Sequence, residues 1–176
     1  MDMKATLKMA ALGLALGGMA ISHSALAYDI KFNGTVKPSP CTVKTEGGTI
    51  KVPLGEVEAH ILTVAQGSDW KDFNLDLIDC PVGTKKAVVT FSGESEYGDL
   101  YKNTAVTDAA GAVQIEMVDA TTAANLRLGS GSIRELLVDE QTRKATLPMR
   151  ARMFSTHGGA TPGKVEGAVQ VGIEYP

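Results

Sequence analysis

The chain is short of basic charge and aromatic residues, and each shortage argues against a class of protein. Its 17 Lys and Arg residues against 20 Asp and Glu give a net charge of -3, with no Lys/Arg-rich run, which excludes a basic nucleic-acid-binding surface. One Trp, four Tyr and four Phe provide no row of aromatics for a sugar-binding platform. The 44% hydrophobic content excludes disorder, and 176 residues suit one domain.

Long hydrophobic runs are also absent after residue 27. Two early lysines precede an apolar run, 9–21, that is too short for a comfortable membrane span. Ala25 and Ala27 form an A-x-A cleavage pattern, which predicts that residues 1–27 are a cleaved secretory signal peptide. An N-terminal membrane anchor is the alternative reading of the same residues.

Two cysteines, Cys41 and Cys80, lie 39 residues apart. An exported chain reaches an oxidising compartment, which favours a structural disulfide between them. A metal site lacks the necessary ligands and a redox pair lacks the C-x-x-C spacing, so both are weaker interpretations. Closing a loop of this length stabilises a fold by roughly 4 kcal/mol.

Apolar residues recur with a period of two after residue 27, which is typical of half-buried strands. Alternating or strand-like segments occupy 28–37, 49–57, 72–80, 87–91, 113–117, 136–138, 145–153 and 164–175. Gly- and Pro-containing turn signals separate them. This pattern predicts a one-domain, all-β sandwich rather than a parallel α/β fold.

One Gly-rich segment, 158–164, matches the beginning of a phosphate-binding loop. The residue after Lys164 is Val165, which lacks the hydroxyl for magnesium, and a strand pattern follows where the motif needs a helix. We interpret the segment as a hairpin turn.

The remaining polar candidates have no catalytic spacing. His60 and His157 lack a motif-spaced nucleophile or acid, and are expected to lie in surface loops. The carboxylates Asp72, Asp76 and Asp79 do not fit a calcium loop, and a solvated strand face explains them better. We therefore expect no enzyme activity, no metal, no cofactor, no small-molecule substrate and no nucleic-acid partner.

The two ends of the chain have the cleanest alternation. Pro38 and Pro40 cannot donate to a strand ladder, so they separate the alternating segment 28–37 from the strand that begins at Cys41. At the other end, alternation continues to the penultimate residue, Tyr175. An isolated ten-residue apolar strand needs a groove in which to be buried.

The ordered motifs of the chain resemble the chaperone–usher pilin family, and within it the minor tip-fibrillum adaptor subunits of type 1 fimbriae. The motifs are Asn33-Gly34-Thr35-Val36, Pro40-Cys41-Thr42-Val43, Leu54-Gly55, Trp70 with Asp72, Leu75-Asp76-Leu77, Asp79-Cys80-Pro81-Val82-Gly83-Thr84, Phe91-Ser92-Gly93, Tyr101-Lys102-Asn103, Gln114-Ile115-Glu116, Pro148-Met149-Arg150-Ala151-Arg152, Gly158-Gly159-Ala160-Thr161 and the Tyr175 strand. The resemblance covers essentially the whole chain after residue 27.

The resemblance implies an incomplete immunoglobulin-like β-sandwich that lacks its last strand, with a donor strand at 28–37 and a pilin domain at 38–176. A periplasmic chaperone and then a neighbouring subunit, delivered at an outer-membrane usher, would fill the open groove by strand addition. The implied donor residues are Tyr28, Ile30, Phe32, Gly34 and Val36; the implied groove wall and chaperone contacts are Val169, Val171, Ile173 and Tyr175; Cys41 and Cys80 match the family disulfide. The implied protein is an adhesion-supporting subunit of a cell-surface fimbria.

Two other functions compete with this expectation. A stand-alone exported carbohydrate-binding sandwich would need exposed aromatics around Trp70 and would be stable without a donor strand. A small secreted hydrolase would need turnover that depends on His60 or His157, and no sequence feature asks for it.

Overall fold

The strands that the structure describes lie between residues 42 and 174. The computed structural model describes residues 31, 33–35, 40–121 and 124–176. The chain divides into two units, Met1–Thr35 and Val36–Pro176, and the described residues of the first unit have no regular secondary structure. The expected signal peptide and the expected donor residues Tyr28, Ile30, Phe32 and Val36 lie outside the described residues.

Ten strands and one short helix occupy the described part of the second unit. They are β1 (Thr42–Val43), a 3₁₀ helix (Ala59–Ile61), β2 (Gln66–Gly67), β3 (Lys71–Ile78), β4 (Lys86–Gly93), β5 (Ser95–Glu96), β6 (Leu100–Lys102), β7 (Gln114–Asp119), β8 (Ile133–Leu137), β9 (Ala145–Ser155) and β10 (Val169–Glu174). Within the described ranges, no helix is both long and apolar enough to cross a membrane.

The strands form two antiparallel sheets. The larger has the order β1-β3-β9-β7-β6-β5, with β2 also paired to β9, and the smaller has the order β10-β4-β8. Inward-facing side chains of both sheets meet in one core cluster, which includes Leu75 of β3, Phe91 of β4 and Leu147 of β9. The predicted all-β sandwich is therefore confirmed.

A disulfide fastens the edge strand β1 to its neighbour β3. Cys41 directly precedes β1 and Cys80 follows β3, and the structure joins the two sulfurs. Both cysteines are buried in the core cluster that the two sheets share. The favoured interpretation of the cysteine pair is confirmed.

The Gly-rich segment 158–164 connects the two sheets. β9 and β10, which flank it, belong to different sheets, so the interpretation as a hairpin turn is wrong. A Cβ on Gly163 would clash with the backbone nitrogen of Ala110, so only glycine fits this close approach. Lys164 pairs through its backbone with Asp108 and Ala110, and a strand follows rather than the helix of a phosphate-binding loop.

Candidate functional site

An open groove runs along the second unit between β10 and the extended segment 50–58. The groove has a volume of roughly 1560 Å³. Val169, Val171 and Ile173 line it from the β10 side, and Val52, Leu54 and Val57 line it from the opposite side. A cavity of this size inside a small sandwich marks a place where the core is not closed by the described residues.

Segment 50–58 alternates like a strand but belongs to no ladder. Residues 50–57 make no backbone hydrogen bond to another described residue. Of the predicted strand over 49–57, Thr49 pairs with Glu46, and residues 50–54 show the alternating burial of a strand without a described ladder partner. Gly55 has a positive φ, which interrupts the extended backbone. Backbone N–H and C=O groups left unpaired beside apolar side chains are a template for an added strand.

β10 has one paired edge and one edge that faces the groove. It pairs with β4 and with no other described strand. The register places Val171 opposite Phe91 and Ile173 opposite Val89, on the face that looks into the sandwich. The groove is thus bounded on both sides by backbone that can accept or donate further hydrogen bonds.

The four residues expected on the groove wall occupy two environments. Val169, Val171 and Ile173 line the groove, and Val171 is 39% exposed although it faces the interior of the sandwich. Tyr175 packs against the core cluster and lies by the backbone of Cys41; burial raises the pKa of its phenol, although the hydrogen bond to Cys41 lowers it. The structure brings the first three together and sets Tyr175 beyond the groove.

Of the expected donor residues, the described part of the chain includes Gly34 alone. It is exposed and belongs to no strand. No heavy atom beyond its chain neighbours lies within 4 Å of where its Cβ would be.

The floor of the groove is apolar and is supplied mainly by the larger sheet. Phe73 and Leu75 of β3 line it, together with Met149 and Met153 of β9. Tyr101 also lines the groove; its hydroxyl donates to the Leu128 carbonyl at 2.8 Å, and burial raises its pKa to about 12. The phenol is therefore a neutral, hydrogen-bonded part of the floor at physiological pH.

Charged side chains lie at the rim of the groove. The charged residues that line it, Glu56, Glu58, Lys164 and Glu166, are all exposed. The buried floor is neutral and lacks an acid–base pair. This arrangement can bind an apolar extended segment.

The histidines and carboxylates noted in the sequence are not assembled into a site. His60 is exposed and lies 3.2 Å from Glu58, whereas His157 packs edge-on against the ring of Tyr97 at 4.8 Å. Asp72 lies 2.8 Å from Arg150, and Asp76 accepts a hydrogen bond from the Thr146 hydroxyl at 2.8 Å. Among the described residues, no three His, Cys, Asp or Glu side chains are placed to hold a metal ion.

The outer face of the larger sheet carries a charged network instead. The side chain of Glu116, 5% exposed, accepts hydrogen bonds from Arg127 Nε and Arg152 Nε, each at 2.6 Å. Arg127 also reaches Asp99 at 3.1 Å, and these partners keep its pKa above the usual value although burial lowers it. Arg152 lies over the ring of Trp70, 4.1 Å from its centroid. Trp70 immediately precedes β3, and its face is covered by this guanidinium.

Sequence reasoning missed the floor and the second wall of the groove. The alternation of β9 and of segment 50–58 was visible, but it did not show that both border the same cavity. The one available signal for the floor was the distribution of methionine. After residue 27 the sequence has methionine only at positions 117, 149 and 153, and all three line the groove.

Comparison with known proteins gives one consistent result. Residues 30–176 match the family model described as fimbrial protein. The FimG protein of Escherichia coli strain K12 is 31% identical over 147 residues, which cover 83% of each chain. The P pilus rod subunit PapA superposes with a TM-score of 0.61 at 15% identity, over 78% of this chain and 100% of PapA. The CupB6 tip adhesin from Pseudomonas aeruginosa superposes with a TM-score of 0.64 at 19% identity, over 79% of this chain, which spans 40% of that adhesin.

The chain shares its all-β fold with solved pilus subunits and has an open apolar groove. Together these define the incomplete immunoglobulin-like fold of a pilin, as predicted. The chain belongs to the fimbrial protein family. It is a structural subunit of a fimbria, and because fimbriae are surface fibres it is an exported, extracellular protein.

Proposed function

We propose that the open groove accepts an N-terminal strand from a neighbouring fimbrial subunit, and that this chain donates residues 28–37 to another. The observation that carries the proposal is the pair of unpaired backbone edges, β10 and segment 50–57, on either side of one apolar cavity. An added strand would pair with these edges while its alternate side chains fill the floor. In the strand that this chain donates, Tyr28, Ile30, Phe32 and Val36 are the side chains that enter the groove of the receiving subunit, and Gly34 is the position where none does.

The energetic case rests on the exposed core. Four apolar donor side chains, buried at roughly 1.5–3 kcal/mol each, contribute on the order of 6–12 kcal/mol before the cost of ordering the strand. That gain is comparable to the whole stability of a typical domain. Without an added strand, the groove is an aggregation hazard, so a chaperone that lends a strand in the periplasm and an outer-membrane usher that exchanges it are the partners we propose.

The proposed role is that of a minor adaptor subunit, structural rather than enzymatic, that links neighbours in the fibre and so supports adhesion. Its similarity to FimG along most of the chain supports this assignment. The carbohydrate-binding alternative needed exposed aromatics around Trp70. The face of that ring is covered by Arg152, so no observation favours this alternative.

Two variants with opposite defects test the proposal in cells that assemble the fimbria. Deleting residues 28–37 removes the donor strand and leaves the groove, so we expect a subunit that accepts a neighbour but donates to none. Val171→Asp places a carboxylate on the groove wall, so we expect a subunit that donates but accepts poorly. Fibres that incorporate both variants as readily as the native chain would contradict the proposal.

A further inference from the structure

Every methionine after residue 27 lines the open groove. Met117 lies in β7, and Met149 and Met153 lie in β9. Each is buried, with 6%, 3% and 6% exposure respectively, so all three are packed into the floor rather than standing free. The buried residues that do not line the groove include Leu, Val, Ala and Phe but no methionine.

The three methionines surround one small residue. Met117 is the cross-strand partner of Ala151, and Met149 and Met153 lie two positions to either side of it on the same face of β9. Along the strand, a two-residue step spans roughly 6.6 Å, so a side chain that enters over Ala151 meets thioethers from three directions. We call Ala151, Met117, Met149 and Met153 together the methionine depression.

The depression also joins two parts of the core. Met117 and Met149 belong to the main cluster that both sheets share, whereas Met153 belongs to a smaller cluster with Leu62 and Val113. An occupant of the depression therefore contacts both clusters.

Methionine differs from the branched residues that could fill the same positions. Its side chain is unbranched, has three rotatable bonds and carries a polarisable sulfur that also packs well against aromatic rings. A wall of methionines can change shape to suit its occupant, whereas β-branched side chains are stiff at χ1.

We propose that the methionine depression makes the groove tolerant of donor strands that differ in shape at one position, so that Leu, Ile, Phe and Tyr are accepted there with similar affinity. This inference rests on the proposed function, since it concerns how the groove receives a donor strand. The inference defines the class of partner more closely. The groove would accept donor strands that differ from one another at this position, provided that the side chain there is apolar or aromatic. A subunit of this kind can follow neighbours with different donor sequences.

A peptide panel tests the inference. Ten-residue peptides with the sequence of residues 28–37 carry Leu, Ile, Phe or Tyr in turn at positions 30, 32 and 36, and their affinities for the full exported chain are measured by competition. The native chain should bind the four versions within about fivefold at the position that enters the depression. The combined variant Met117→Ile, Met149→Ile and Met153→Ile should widen that spread to more than about twentyfold.

Two further variants provide the controls. Leu136→Ile stiffens a core residue that does not line the groove and should leave the spread unchanged. Ala151→Leu fills the depression and should weaken binding of every peptide with a large side chain at that position by at least about tenfold. If the triple variant does not fold, the three single substitutions replace it, each with a smaller widening.

The possible results separate the two proposals. If the isoleucine variants bind the four peptide versions with as narrow a range of affinities as the native chain does, the proposed role of the methionine depression is wrong. A native chain that binds no peptide of the panel overturns strand acceptance itself, and with it the proposed function.

Discussion

The two faces of the larger sheet differ in how completely the polar groups on or beside them are paired. On the outer face, Glu116 is hydrogen-bonded to two arginines, one of which also pairs with Asp99 while the other covers Trp70. On the groove side, buried apolar side chains border a cavity of roughly 1560 Å³. Segment 50–57 and the edge of β10 that faces away from β4 have no described ladder partner. The network around Glu116 is made entirely of residues of this chain. The groove needs a strand from elsewhere.

Removing the disulfide is expected to have the largest effect, because it anchors β1 next to the segment that forms one groove wall. Cys41→Ser with Cys80→Ser should lower the free energy of unfolding of the strand-filled protein by about 4 kcal/mol, since the unfolded chain loses a 39-residue loop constraint. Chemical denaturation measures this loss, with the reduced native chain as the control. A loss below about 1 kcal/mol would show that the cross-link does not support this edge.

Placing a charge on the groove wall should weaken donor-peptide binding, whereas the same charge outside the groove should not. Val171→Asp should weaken donor-peptide binding at least about 100-fold, roughly 3 kcal/mol, because filling the groove would strip water from the new carboxylate. Isothermal titration measures the change. The matched control is Ser92→Asp on the adjacent strand β4. Ser92 is exposed, does not line the groove and alternates with the inward-facing Phe91, so this variant should bind almost normally. Equal losses for both would contradict the assignment of the faces.

Breaking the charged network on the outer face should lower the stability of the protein and leave peptide binding almost unchanged. Glu116→Ala leaves the guanidinium of Arg152 without its carboxylate partner and should cost about 2 kcal/mol of stability, less than a fully buried pair because the arginines are partly solvated. Donor-peptide affinity should stay within about twofold, since Glu116 does not line the groove. A Glu116→Ala variant that keeps its stability but loses peptide binding would contradict the assignment of stability to the outer face and of binding to the groove.

The smallest effect concerns alkaline pH. Burial raises the pKa of Tyr101 to about 12 in the folded protein, above its ordinary value of about 10, so the folded state holds this proton more tightly than the unfolded state. The resulting stability is present below pH 10 and is lost as the pH rises towards 12. By pH 11 the native chain should lose about 1.4 kcal/mol relative to its own neutral value, and Tyr101→Phe should lack this component. Parallel curves for the two proteins between pH 9 and 11 would rule out the buried phenol as the cause.

The sequence predicted the parts of the fold that local pattern controls. Alternation identified β3, β9 and β10, and the export signal made the pairing of Cys41 with Cys80 the favoured interpretation. It could not show that residues 50–57 have no described ladder partner, because side-chain alternation is the same in a paired strand and in an unpaired one. The short strand β6 carried too few residues for a pattern.

The methionine depression was beyond local reasoning for a different reason. It depends on the register of β7 against β9, which places Met117 opposite Ala151 although the two are far apart in sequence. A one-residue shift in register would send Met117 to the other face. The hairpin prediction for segment 158–164 was wrong for a similar reason. Turn residues predict a change of direction but do not show whether the chain crosses to the other sheet.

Thermal unfolding of the chain lacking residues 1–37, with and without a synthetic peptide of residues 28–37, tests the central claim most directly. If the groove is completed by a strand from outside the domain, the peptide should raise the unfolding midpoint by tens of degrees, because it buries several apolar side chains and pairs two open edges. A peptide with Asp at positions 30 and 32 should produce no such rise. An unfolding midpoint that is unchanged by the native peptide would contradict the account.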